Sequence, residues 1–171
     1  YELRTANEQN LIATWDSLFS MDDSQGYVSA DHPPLEAPGY CYWLSGAGIA
    51  LARLLGLGKV LMYFFGKALV FLGYLAAGFF TIRLMPFAKN LAFLVYLLPI
   101  SIQQATSFSY DTTVNALAFL LTAYCLHLTF AVDKLTPRHW AGLIILSAVL
   151  APCKVIYVLI SLCCLLIPRR K

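Results

Sequence analysis

The stretch "TTVNALAFLLTAYCLHLTFAV", residues 112–132, decides the fold class of this chain. It contains no Asp, Glu, Lys or Arg. As a helix rising about 1.5 Å per residue it would extend about 30 Å, which matches the hydrocarbon thickness of a bilayer. The stretch therefore predicts a membrane-spanning helix.

The composition of the whole chain agrees with a membrane protein. Hydrophobic residues make up 60% of the 171 positions, charged residues 12%, and the mean hydropathy is +0.70, outside the range of ordinary soluble domains. Seven of the nine acids precede residue 37, and only Asp111 and Asp133 follow. The net charge of +3 therefore bears on orientation in the membrane and does not indicate nucleic acid as a partner.

Working outward, the apolar runs predict further spans at 60–82 and at 91–107. The second contains Pro99, which a membrane helix tolerates when neighbouring groups satisfy the freed carbonyl. Residues 1–58 read as an extracytoplasmic segment with an amphipathic surface helix and a juxtamembrane helix, and 59–171 as the transmembrane region. The start lacks both an initiator Met and the pattern of a signal peptide. We therefore expect a fragment of a longer chain.

The last apolar stretch, 140–167, is interrupted at "APCK" and admits a single kinked span or a hairpin of two short helices, 140–151 and 155–167. The basic residues nearby belong to three segments: Arg83 and Lys89; Lys134 and Arg138; Arg169, Arg170 and Lys171. Cytoplasmic loops are enriched in Lys and Arg. Only the hairpin puts all three segments on the cytoplasmic side, so we favour it.

This orientation collects the remaining polar groups on the extracytoplasmic side of the membrane. They include Asp31 and His32, the turn that carries Asp111, and Lys154 at the tip of the predicted hairpin. An acid-rich loop beside several cations is what a site for an anionic, lipid-linked substrate needs.

Asp111 has two compatible interpretations. It could cap the helix that follows it, because a short acceptor binds free amides of the first turn. Ser109, Thr112 or Thr113 could do the same without a charge. A carboxylate at the bilayer margin is itself a candidate for function.

The other chemical motifs are weak. The five cysteines form no CxxC and no Cys/His metal spacing, so we interpret them as packing residues. "SGAG" lacks the strand and helix of a nucleotide-binding loop. A lipid-phosphate donor is therefore favoured over a nucleotide-sugar donor.

Three stretches carry a resemblance to a known family. They are "HPPLEAPGYCYWLSGAGIALARLLG" (32–56), "IRLMPFAKNLAFLVYLLPISIQQATSFSYDTTVNALAFLL" (82–121) and "LAPCKVIYVLI" (150–160). From residue 31 onward the chain resembles the DUF 2142 family of predicted bacterial multi-pass membrane proteins. More distantly it is similar to GT-C glycosyltransferases, including the dolichyl-phosphate-mannose mannosyltransferase type and the aminoarabinose transferases of lipid A.

The resemblance implies an all-α, multi-pass transmembrane helical bundle of GT-C type with an external amphipathic N-terminal segment. It implies an integral-membrane glycosyltransferase of cell-envelope or surface-glycan assembly, which moves a sugar from a polyprenyl-phosphate-linked donor to a glycan or lipid acceptor. Such enzymes carry a catalytic acid just after their first membrane helix. We expect its equivalent upstream of Tyr1.

The same resemblance suggests residue roles. Those enzymes have an acid and a Lys before Pro-Pro-Leu, where this chain has Asp31 and His32. Asp111 resembles the Asp that begins one of their membrane helices. Lys154 resembles the Lys at the outer turn of their short helix pair.

From these positions we assign Asp111 to catalysis and Asp31 to a metal site. We assign substrate binding to His32, Tyr110 and Lys154. The expected cofactor is a divalent metal (Mg, Mn or Zn), because carboxylate oxygen and imidazole are ligands of these ions. The transfer needs a carboxylate near the acceptor hydroxyl and positive charge on the leaving phosphate.

Two other functions stay open at this point. One is a non-catalytic transporter or flippase component for lipid-linked sugars, and the other is a structural membrane subunit. A flippase should carry polar residues through the membrane interior. In this sequence they cluster at one face, which favours the enzyme.

Overall fold

A computed structural model describes residues 37–153, 158–162 and 167. The amphipathic helix predicted within residues 1–36 lies outside this range. Across the described residues all regular secondary structure is helical, which confirms the all-α class. In chain order the elements are a 3₁₀ turn (Gly39–Tyr42), α1 (Trp43–Leu54), α2 (Lys59–Leu84), α3 (Lys89–Tyr96), α4 (Pro99–Ala105), α5 (Tyr110–Phe130), α6 (Pro137–Leu150) and α7 (Val158–Ser161).

Two of these helices, α2 and α5, are long and apolar enough to cross a membrane, with mean hydropathies of 1.8 and 1.5. Large apolar side chains such as Leu72, Phe79 and Phe80 on α2 are more than half exposed. Such a surface is disfavoured in water but suits contact with lipid. The predicted spans 60–82 and 112–132 thus coincide with α2 and α5 to within a few residues.

Helix α1 packs along α2 through glycine. A Cβ atom placed on Gly48 would lie 2.5 Å from the carbonyl oxygen of Phe65 and 2.8 Å from the Cα of Gly66. Small residues allow such a close approach of two helix backbones in membranes. The helix ends at Leu54. Two residues later Gly56 has a left-handed φ of +68°, and Leu57 N–H donates to the carbonyl of Ala52 in a Schellman motif.

The long helices α2 and α5 run in the same direction. Near their starts, the rings of Tyr63 and Phe108 lie 5.1 Å apart. Near their ends, the ring of Phe87 lies 5.3 Å from that of Phe130. Because the helices are parallel, α3 and α4 return the chain from one end of the bundle to the other.

The predicted single span 91–107 is wrong in one respect, because it is two short helices broken at Leu97 and Leu98. Pro99 has no N–H to donate back into the preceding turn. Instead, Ser101 Oγ donates to the carbonyl of Val95 (3.1 Å) and Tyr74 Oη donates to that of Tyr96 (2.9 Å). Tyr74 thus supplies a donor for the Tyr96 carbonyl at the end of α3. Ser101 adds a second donor to the Val95 carbonyl, which also accepts from Leu98 N–H (3.3 Å).

Helix α6 runs antiparallel to α5. Tyr124 Oη of α5 donates to the carbonyl of His139 (3.2 Å) near the start of α6, and Leu143 and Leu150 of α6 join the main buried cluster with Leu121 of α5. The helix ends at Leu150 in a turn through residues 151–153. The interruption predicted at "APCK" is therefore present, and the return of the second arm as a hairpin stays a prediction.

The bundle has two ends that differ in chemistry. We call residues 40–42, 63–67, 108–113 and 149–153 the Asp111 end. We call residues 83–89 and 130–139 the basic end, because they carry Arg83, Lys89, Lys134 and Arg138.

Candidate functional site

The helix cap beside Asp111 is Ser109. Ser109 Oγ accepts a hydrogen bond from the backbone N–H of Asp111 (3.2 Å) and donates to the Asp111 carboxylate oxygen Oδ2 (3.3 Å). The interpretation of Asp111 as the cap is therefore wrong, because Ser109 occupies that position and Asp111 lies in the first turn of α5. The positive end of the helix dipole still stabilises the negative charge of its carboxylate.

The turn containing Asp111 contacts the segment that follows the Pro-Pro motif. Thr113 Oγ1 donates to the carbonyl of Cys41 (3.0 Å). Tyr110 and Tyr42 meet edge to face, with ring centroids 6.4 Å apart, a favoured geometry for an aromatic pair. The predicted substrate-binding residue Tyr110 is thus half-buried against the 3₁₀ turn.

A second set of contacts joins the 3₁₀ turn to the end of α6. Tyr40 Oη donates to the carbonyl of Val149 and lies 3.3 Å from Cys153 Sγ. Cys41 Sγ lies 3.6 Å from Cys153 Sγ. The turn at 151–153 therefore lies at the Asp111 end, as the sequence predicts for the hairpin tip.

Burial lowers the acidity of the groups in this contact. The Cys41 side chain is 4% exposed, and desolvation, with the contact to Cys153, raises the pKa of its thiol to about 12. The same causes raise the pKa of the Tyr40 hydroxyl above its ordinary value. Both groups are therefore neutral at physiological pH.

A small polar network lies beside Asp111, inside the bundle. Thr112 Oγ1 donates to the carbonyl of Gln104 (2.6 Å), and Asn115 Nδ2 donates to Gln104 Oε1 (3.0 Å). We call these three residues the Gln104 network. They line a cavity of about 10 Å³ with Tyr74, Ser101 and Phe119, which is close to the space that one water molecule requires.

A cation also lies at the Asp111 end. Lys67 Nζ lies 4.3 Å from the centroid of the Tyr63 ring, and the Tyr63 ring contacts Phe108, the residue before the Ser109 cap. The Lys67 ammonium group therefore makes a cation–π contact with the Tyr63 ring.

The predicted site residues divide into two groups. Asp111 and Tyr110 are described and lie within one turn of α5. Asp31, His32 and Lys154 lie outside the described residues, although Cys153 immediately before Lys154 is described. The assigned roles of all five stay predictions.

The predicted metal site also stays a prediction. Within residues 37–153 and the short described stretches beyond them, no three His, Cys, Asp or Glu side chains are grouped so that they could hold a metal ion. The described residues therefore offer no ligand set for it, and Asp31 lies outside them.

Sequence reasoning missed the residues that join the segments. Tyr40, Cys41 and Cys153 form the contact between the 3₁₀ turn and α6, yet Cys41 and Cys153 are 112 positions apart and form no motif. Gln104 and Asn115 were also missed, because the sequence gives no sign of their pairing. The sequence shows only that both polar residues lie within seven positions of Asp111.

A family model described as "Predicted membrane protein (DUF2142)" matches residues 27–171. The chain belongs to this family. The match covers all the described residues and includes Asp111, the 3₁₀ turn and the end of α6. No curated protein and no solved structure matches this DUF2142 member.

Proposed function

We propose that this DUF2142 chain is part of an integral-membrane glycosyltransferase with a multi-pass, GT-C-like bundle. It would transfer a sugar from a polyprenyl-phosphate-linked donor to a glycan or lipid acceptor in cell-envelope or surface-glycan assembly. The observation that supports this most directly is the Ser109 cap. Because Ser109 supplies the cap, the helix does not need the Asp111 carboxylate for that purpose, and an acid at a bilayer margin favours a functional role.

The convergence of three chain segments at the Asp111 end also supports the proposal. The segment after the Pro-Pro motif reaches α5 through the Thr113 hydrogen bond to Cys41. It reaches the residue before Lys154 through the contact of Cys41 with Cys153. These contacts bring the 3₁₀ turn, the first turn of α5 and Cys153, the residue before Lys154, to one end of the bundle.

The proposed chemistry assigns one task to each side chain. Asp111 orients the acceptor hydroxyl and accepts its proton as the glycosidic bond forms. Lys154 and His32 stabilise the leaving phosphate through positive charge or hydrogen bonds. Tyr110 offers its ring beside the carboxylate as a wall for the sugar.

We derive no step through a metal, because the described residues form no cluster of metal ligands. The metal role proposed for Asp31 is separate from the proton transfer by Asp111. A metal held there would balance the negative charge of the donor phosphate.

A second candidate function is a translocation component for lipid-linked sugars. The observation that favours it is the Gln104 network, which extends polar groups from Thr112 to Asn115, inward along α5. Hydrogen bonds between membrane helices are also a common means of holding them together. The network is small and fully paired, so the enzyme stays the first proposal.

The test is a charge-only substitution in the full-length protein. Membranes bearing Asp111→Asn are expected to transfer sugar from a polyprenyl-phosphate donor roughly 10²-fold to 10⁴-fold more slowly than wild type. The variant retains Ser109 and hence the cap. Asp133→Asn, at the basic end, is the matched control and should transfer at the wild-type rate.

The outcomes separate the candidates. Unchanged transfer by Asp111→Asn would remove the catalytic assignment. Loss of lipid-linked sugar translocation in vesicles, with transfer intact on a presented donor, would favour the translocation component.

A further inference from the structure

We propose that Cys41 and Cys153 form a disulfide bond that joins the 3₁₀ turn to the end of α6. Their Sγ atoms lie 3.6 Å apart, and each side chain is 4% exposed. The sulfur atoms would need to approach by roughly 1.5 Å to reach the disulfide bond length of about 2.05 Å.

The contacts around the pair hold both sulfur atoms in place. The Cys41 thiol can donate to Cys153 Sγ, and Tyr40 Oη donates to the carbonyl of Val149. The Cys153 thiol can donate either to Tyr40 Oη or to the same Val149 carbonyl (3.5 Å). The chain of donors ends on a backbone carbonyl. It holds Cys153 Sγ within reach of Cys41 Sγ.

Because both sulfur atoms are buried, the oxidant must be small, and hydrogen peroxide is a small oxidant. The thiolate of one of the two cysteines attacks one peroxide oxygen, the O–O bond breaks, and a sulfenic acid forms as hydroxide leaves. The sulfur of the other cysteine then attacks the sulfenic sulfur, the S–S bond forms and the S–O bond breaks. Two thiols and one peroxide give one disulfide and two waters, with both electrons passing from sulfur to peroxide.

The bond would close a loop of more than one hundred residues and fix the 3₁₀ turn to the turn at 151–153. Thr113 would remain hydrogen-bonded to the same backbone at the Cys41 carbonyl. The inference does not rest on the proposed function, because it depends on the placement of the two sulfur atoms alone.

The test uses wild-type protein in membranes. Membranes are treated with hydrogen peroxide, remaining thiols are blocked with N-ethylmaleimide, and a non-reducing digest is measured by mass spectrometry. The expected result is a peptide pair joined through Cys41 and Cys153 that dithiothreitol separates. Recovery of Cys41 and Cys153 as blocked thiols, as sulfinic acids, or joined to other cysteines would overturn the proposal.

Variants check the assignment of the pair. Cys41→Ser and Cys153→Ser should each abolish the joined peptide. Cys125→Ala, which alters a buried cysteine of α5, should leave it in the wild-type amount. Because the first measurement uses wild-type protein, a variant that fails to fold does not affect its outcome.

Discussion

The Asp111 end and the basic end of the bundle differ in the hydrogen bonds that join their segments. At the Asp111 end, Thr113 donates to the 3₁₀ turn and Tyr40 donates to α6, beside the aromatic pairs Tyr42–Tyr110 and Tyr63–Phe108. At the basic end, Phe87 pairs with Phe130 and Tyr124 donates to the carbonyl of His139. Directional bonds fix side-chain positions, whereas apolar contacts chiefly bury surface.

Among the substitutions that affect stability, the largest effect is expected at Gly48, the glycine that brings α1 against α2. Gly48→Ala should destabilise the protein by about 1–3 kcal/mol, because the added Cβ would meet the Phe65 carbonyl oxygen at 2.5 Å and backbone atoms must move. Gly46→Ala is the matched control, since nothing lies within 4 Å of a Cβ there. Thermal unfolding in lipid nanodiscs measures both variants. Equal stability of Gly48→Ala and wild type would contradict the described helix crossing.

A smaller effect distinguishes the helix caps of the two ends. Ser109 caps α5 at the Asp111 end, and Thr136 forms a capping box with His139 at the start of α6 at the basic end. Ser109→Ala and Thr136→Ala should each cost about 1 kcal/mol in the free energy of unfolding. Only Ser109→Ala should also slow sugar transfer, because it removes the hydrogen bond to Asp111 Oδ2.

These two variants are compared by unfolding and by transfer rate in the same membranes. If both slowed transfer equally, the effect would come from stability and the link between Ser109 and the carboxylate would be lost.

A pH dependence is also expected at the Asp111 end. The pKa of Cys41 is raised from 9.0 to about 12, so the folded state keeps a proton that the unfolded state loses. This stabilisation is complete below pH 9 and is lost as pH rises toward 12. Under reducing conditions the free energy of unfolding should therefore fall over this interval.

Cys41→Ala should show a shallower fall of stability with pH, measured by chemical unfolding at a series of pH values between 8 and 11. An unchanged slope in Cys41→Ala would show that burial of this thiol does not cause the dependence.

The sequence predicts the long helices well, because their hydropathy does not depend on neighbours. The spans expected at 60–82 and 112–132 are α2 and α5. The break between α3 and α4 was not predicted, although Pro99 was recognised. Whether Pro99 kinks or breaks a membrane helix depends on partners for the freed carbonyls, and here Tyr74 supplies one from another helix.

The candidate site was predictable only in part, because some of its features are visible in the sequence and others depend on the folded backbone. The charge of Asp111 between apolar runs is visible in the sequence, whereas the choice of Ser109 as the cap depends on local backbone geometry. The contact of Cys41 with Cys153 links positions 112 apart. Nothing in the spacing of cysteines encodes a contact that tertiary packing creates.

We propose, from the distribution of Lys and Arg, that the two ends face opposite sides of the membrane, with the Asp111 end outside the cytoplasm. Single cysteines introduced at exposed positions, Thr106→Cys near the Asp111 end and Asp133→Cys at the basic end, test it in intact cells with a membrane-impermeant maleimide. We expect labelling of Thr106→Cys in intact cells, and of Asp133→Cys only after the membrane is opened. Labelling of both positions from outside, or of Asp133→Cys alone, would contradict the account.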